Sequence, residues 1–139
     1  MTYSSPEGFI THTGRGRALP AAGGYLLAGA DQTAGQFTLI ESSVGQGDET
    51  PLQIHDHMDE CFHVRTGQYE VTCGDQQFTA HPGDFVFLPR GIPHGYRAGP
   101  DGASKLILGL PAGLESFFDD MNNDLPWDEL GRRHSITFL

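Results

Sequence analysis

Short runs in which apolar or β-branched residues alternate with polar ones recur along most of the chain. They read YLLA at 25–28, QFTLIE at 36–41, PLQIH at 51–55, CFHV at 61–64, QYEVTC at 68–73, QQFTA at 76–80 and DFVFL at 84–88. HGYRA at 94–98 and SKLILGL at 104–110 complete the series. A period of two sends successive side chains to opposite faces, as a half-buried strand requires. Turn signals part the runs at even spacing, among them GQGDE, TG, CGD, HPGD, PRGIP and GPDG. That pattern predicts an antiparallel sandwich or barrel. The TG at Thr66 and Gly67 reads as a hairpin turn.

The period changes once. In AGLESFFDDM, the apolar residues Leu114, Phe117, Phe118 and Met121 fall at i, i+3, i+4 and i+7, which is one face of a helix over about 113–122. This stripe is expected to pack on the outside or mouth of the barrel, as core rather than ligand contact. In the tail over 123–139, HSITFL is expected to return as a final edge strand.

Length and charge narrow the function. A chain of 139 residues is expected to form one domain with a core of its own. A formal charge of −10 argues against nucleic acid or an anionic membrane surface as partner, since both reward clustered Lys and Arg. No apolar run approaches the ~20 residues that span a bilayer. MTYSSPEGFITHTG lacks the basic start and apolar stretch of a signal peptide. Cys61 and Cys73 are the only cysteines, too few for a disulfide framework. A cytoplasmic protein that meets small molecules is the expectation.

Candidate chemistry concentrates in PLQIHDHMDE, residues 51–60. On a strand Gln53, His55 and His57 project to one face, and Glu60 opens the next strand beyond a short turn. A second cluster, GDFVFLPRGIPH, supplies Gly83, Pro89, Gly91 and His94, which a hairpin-rich barrel can bring opposite His55. These residues resemble the cupins, whose first motif has the form G-x5-H-x-H-x4-E-x6-G and whose second has the form G-x5-P-x-G-x2-H-x3-N. Gly47, Gln53, His55, Glu60 and Gly67 fit the first at every spacing. Gly83, Pro89, Gly91 and His94 fit the second, with Ala98 in place of Asn. Fifteen residues separate the motifs, as in compact single-domain cupins. TAGQFTLIES and LPAGLESFF, which flank them, resemble the small quercetin-dioxygenase-like branch. Taking His55 and His57 as the motif pair would leave only two residues before Glu60 and put Glu49 where the glycine belongs. Gln53 therefore stands at the first histidine position, and His57 is an extra histidine in or beside the turn.

The resemblance implies an all-β cupin jelly roll (a double-stranded β-helix) with a short C-terminal helix. All of it would form a single cupin domain over 1–139, with the barrel core at about 23–111. It also implies a divalent transition metal, one of Fe, Ni, Mn, Co, Cu or Zn, held at Gln53, His55, Glu60 and His94. Two imidazoles and a carboxylate are the ligand set of non-haem Fe(II) facial triads, so the lost histidine need not abolish metal binding. Gln53 is then either a weak oxygen ligand or a group that orients a bound water. His57 is either a ligand or base at the mouth or a solvent-exposed turn residue. Three functions follow from the resemblance. The leading one is dioxygenation of quercetinase type on an aromatic or enolic substrate, with Glu60 as base. The others are a non-oxidative cyclase or isomerase that uses the metal as Lewis acid, and a barrel that only binds a small ligand.

Phe62, Val64, Tyr69 and Val71 are expected to point inward and line the substrate pocket, with either Phe85 and Phe87 or Val86 and Leu88. Such a wall suits an aromatic molecule better than a sugar. If the Thr66–Gly67 turn has two residues, Cys73 lies opposite Glu60 and faces the pocket, while Cys61 faces out and forms no disulfide with it. His12, His63, His81 and His134 are expected at the surface. Edge strands in small cupins are covered by pairing of two copies, so a homodimer is expected.

Overall fold

A computed structural model describes residues 5–139 of the chain. Among them run strands β1 (Ala18–Leu19), β2 (Gly24–Ala28), β3 (Thr38–Val44), β4 (Glu49–His55), β5 (Asp59–Cys73), β6 (Gln76–Ala80), β7 (Phe85–Leu88) and β8 (His94–Leu110). A short helical turn α1 (Ala30–Thr33) precedes β3; helices α2 (Leu114–Asn122) and α3 (Trp127–His134) lead to a last strand, β9 (Ile136–Phe138). No helix among the described residues is long and apolar enough to cross a membrane.

Every alternating run becomes strand, but two of the expected breaks do not occur. CFHV and QYEVTC are one strand, β5, and HGYRA and SKLILGL are one strand, β8. The two lie antiparallel from Asp59 opposite Leu110 to Cys73 opposite His94. Gly67 explains the error. It adopts a φ of 71°, and a Cβ there would collide with the carbonyl oxygen of Gly102 on β8. The pairing slips on either side of it, between Val64 and Thr66 and between Gly67 and Tyr69. Gly67 is thus a bulge that bends a continuous strand, a use of glycine that looks identical to a turn in sequence. Cys73 consequently pairs with Gln76 and His94 rather than with Glu60, and both thiols are free.

β8 organises the sheet. Its first residues lie beside β4 and its last beside β3, giving the order β1-β2-β3-β8-β4-β9, with β5 along β8 and β6 and β7 on β5. Phe62, Val64, Tyr69, Val71, Val86, Leu88 and Tyr96 fill the interior. Val86 and Leu88 are therefore the inward pair, and Phe85 and Phe87 are exposed. A second apolar cluster joins Ile40 and Ile107 of the sheet to Leu114 and Phe117 of α2, Leu130 of α3 and Ile136 of β9. Helix α3 goes beyond the sequence reading. WDELGRRH buries only Leu130, so no apolar stripe marks it. Its polar signal is present, with Asp128 and Glu129 in the first turn and Arg132, Arg133 and His134 in the last, each complementing the helix dipole. HSITFL does supply a strand, β9, whose Phe138 and Ile136 stand opposite Gln53 and His55 of β4.

Candidate metal centre

His55 ends β4, Glu60 lies at the start of β5 after the bend at 56–58, and His94 opens β8 opposite Gln53. The backbone locks these ends together. Gly91, in the turn before His94, donates its N–H to the His55 carbonyl at 2.8 Å. Arg90 forks onto the Asp59 carboxylate and also donates to the Leu110 carbonyl.

The result is a group of three buried side chains whose donor atoms all lie within 4.8 Å of one another: His55, Glu60 and His94. The Glu60 Oε1 is 3.6 Å from His55 Nε2 and 4.0 Å from His94 Nε2. The two imidazoles stack with centroids 5.2 Å apart and planes 6° from parallel. His55 Nε2, both ring nitrogens of His94 and the Oε1 of Gln53 are buried with no hydrogen-bond partner in the protein. Buried polar atoms are nearly always paired, so one unpartnered nitrogen each from His55 and His94 beside a carboxylate form a donor set that a cation would satisfy. Burial pulls the His55 imidazole below its ordinary value, outweighing the opposing pull of Glu60, and so favours the neutral ring that a metal requires.

The other Glu60 oxygen, Oε2, accepts a hydrogen bond from the Tyr96 hydroxyl at 3.0 Å. Burial first and Glu60 second push that phenol well above its usual range, so it stays protonated as a donor. Glu60 is thus pinned by one oxygen and presents the other to the imidazoles. Above His55 and Glu60 opens a cavity of about 290 Å³, which His94 does not line. Gln53, His55, Glu60 and Tyr96 form its floor. Phe117, Phe118 and Met121 of α2, Trp127 of α3 and Phe138 of β9 form an apolar wall, and Asp48 and Glu49 stand at its rim.

The family model for the cupin domain matches residues 40–108. The chain is a cupin. Over 93 residues it is 28% identical to quercetin 2,3-dioxygenase from Bacillus subtilis (strain 168), a match that covers 67% of this cupin but only 28% of that relative's length. KdgF from Halomonas sp. superposes with a TM-score of 0.58 at 21% identity, over 69% of this chain and 79% of that one. The DMSP lyase DddQ from Ruegeria pomeroyi DSS-3 gives a TM-score of 0.54 at 25% identity, over 62% of this chain and 45% of that one.

Against the sequence reading, this cupin brings His55, Glu60, His94 and Gln53 together and leaves His57 out. His57 sits in the exposed bend between β4 and β5, outside the trio. Phe62, Val64, Tyr69, Val71 and the half-buried Cys73 belong to the interior cluster and do not line the cavity. The wall comes instead from the stripe of α2, which packs as core on one side and faces the cavity on the other, and from α3 and β9. The period of the inner strands marks what is buried, not which buried surface meets a void. His63, His12 and His81 are exposed as expected, whereas His134 is partly buried, 2.7 Å from Asp120 and edge-on to Phe117. Tyr96 and Lys105 were not singled out in sequence. Tyr96 carries a readable signal, two residues beyond His94 on the same strand face, and Lys105 is a lone charge at an inward position of SKLILGL.

Proposed function

We propose that His55, Glu60 and His94 hold one divalent transition metal, with Gln53 as a neutral fourth donor, and that the site acts on a small aromatic or enolic molecule. The observation that carries this reading is the set of unpartnered nitrogens of two buried histidines beside Glu60. A metal there would supply Lewis acidity and, with open positions, a meeting point for substrate and dioxygen. Dioxygenation of quercetinase type is the reaction we favour, supported by the likeness to a quercetin 2,3-dioxygenase over 93 residues.

The chain's own groups divide the work. The apolar wall of Phe117, Phe118, Met121, Trp127 and Phe138 holds the body of the substrate and keeps bulk water from the floor. Glu60, with Oε1 released from the metal that it would otherwise hold, takes the acidic proton of an enol brought to the floor, while Tyr96 keeps Oε2 fixed. Asp48 and Glu49 at the rim disfavour anionic substrates. A non-oxidative cyclase or isomerase is the second reading. It is supported by Gln53, which replaces an imidazole with a harder, weaker ligand. We further propose a homodimer, because β6 and β7 pair with β5 alone and leave an unpaired edge beside the exposed Phe85 and Phe87.

Elemental analysis of the purified protein, followed by oxygen-electrode traces with flavonols and related enols, tests the reading. Bound metal and substrate-dependent oxygen uptake are expected. Turnover under argon would favour the non-oxidative reading, and failure to take up any of Fe, Ni, Mn, Co, Cu or Zn would sink both.

A further inference from the structure

The barrel contains a buried cation that the function above does not use. Lys105, on β8, is 3% exposed, and its cross-strand neighbours, Ser42 of β3 and Val64 of β5, are uncharged. It takes part in none of the ion pairs among the described residues. Its Nζ donates to the Tyr69 hydroxyl at 3.3 Å and lies 4.3 Å from the Tyr69 ring centre, 4.7 Å from that of Tyr96 and 5.7 Å from that of Phe62. Three aromatic rings, and the hydroxyl that one of them carries, thus hold an ammonium stripped of water. Cation–π attraction offsets part of that loss. Burial nevertheless pulls the amine down to about 8, against Glu60 and Asp48, which hold the proton on.

Tyr96 joins this cage to the metal centre. Its ring borders the ammonium, and its hydroxyl donates to Glu60 Oε2. A buried anion and a buried cation therefore face each other across one phenol. We propose that Lys105 is the counter-charge of the metal centre: it is an ammonium while Glu60 lacks a cation, and it gives its proton to solvent when a divalent ion settles among His55, Glu60 and His94. The inference rests on the metal reading above.

The sign follows from Coulomb's law in a water-poor interior. With neutral imidazoles the trio carries the single negative charge of Glu60, which favours the ammonium. Adding two positive charges reverses the field at Lys105, and the interaction that kept the proton now expels it. The other groups facing Lys105 do not compete near neutral pH. Tyr69 on β5 and Tyr96 on β8 are both pushed up by burial and remain protonated, Asp48 ahead of β4 is exposed to water, and β3 presents the hydroxyl of Ser42.

The test is Zn(II) affinity of metal-free protein, measured against a competing chelator from about pH 6.5 to 8. Wild type should gain affinity with pH more steeply than Lys105→Met, by about tenfold per pH unit for one coupled proton. At the acid end of that range Lys105→Met should bind Zn(II) more tightly. A second measurement needs only wild type: the Cε resonance of Lys105 in 13C-lysine-labelled protein at neutral pH should move from the ammonium to the amine position on loading. Parallel pH slopes, or an ammonium that persists with Zn(II) bound, overturn the inference while the metal reading stands. No uptake of Zn(II) at any pH overturns both.

Discussion

Glu60 divides its two oxygens between neighbours, Oε1 toward the imidazoles and Oε2 toward Tyr96. Removing the phenol hydroxyl should therefore loosen the centre without opening the barrel. Tyr96→Phe is expected to weaken metal binding about tenfold or more, as outer-shell partners typically do, and to lower the unfolding free energy by about 1–3 kcal/mol. Chelator competition and urea denaturation read the two effects. The histidines should separate cleanly in elemental analysis: His94→Ala loses the metal and His57→Ala keeps it, because His57 is exposed in the bend and outside the trio. Lys105 gives a stability signature of its own. Its amine falls from 10.5 in the unfolded chain to about 8 in the fold, so between those values the unfolded state holds more protons and stability rises with pH. At 1.36 kcal/mol per pH unit, metal-free wild type should gain about 3 kcal/mol relative to Lys105→Met from about pH 8 to 10.5. Matched denaturation curves that stay parallel across this range would contradict the assignment.

At the scale of elements, the cavity wall belongs to α2, α3 and β9 and the floor to the strands. Substitutions in the wall should therefore separate substrate binding from metal binding. Trp127, half exposed on α3 and edge-on to Phe138, is the best test. Trp127→Ala is expected to raise KM several-fold with metal content unchanged, as steady-state kinetics and elemental analysis of one preparation would show. Gly67→Ala should cost about 1–3 kcal/mol, because an L side chain pays for the positive φ and must also displace the backbone of β8. The period-two alternation made the strands legible, and the motif intervals around Gln53, His55, Glu60 and His94 made the centre legible. Continuity of β5 and β8 was not, since Gly67 and the GPDG segment have the composition of turns whether the chain reverses there or bends. Nor was the wall, because whether Phe117 meets core or cavity depends on where α3 and β9 return, and Leu130 alone is too little apolar signal to place α3.

For the whole molecule, the charge of −10 is spread over a surface that also exposes Phe85 and Phe87 on β7. Two phenylalanines in water beside an unpaired edge are the feature that a second copy would cover. Sedimentation of wild type should give twice the chain mass, and Phe87→Glu should give the monomer with metal content intact. A monomeric wild type would remove the homodimer proposal and leave the centre untouched, since His55, Glu60 and His94 all come from one chain.

The same bend at Gly67 that misled the sequence reading has a kinetic consequence. Because β5 and β8 run past each other unbroken, Glu60 and Tyr69 share one strand while His94, Tyr96 and Lys105 share the other, with Glu60 and His94 near opposite ends of a single ladder. An ion gripped by Glu60 and His94 ties the start of one strand to the start of the other, so neither end can fray alone. Amide deuterium exchange along the full ladder should then slow together on metal loading, as one cooperative unit rather than a local patch.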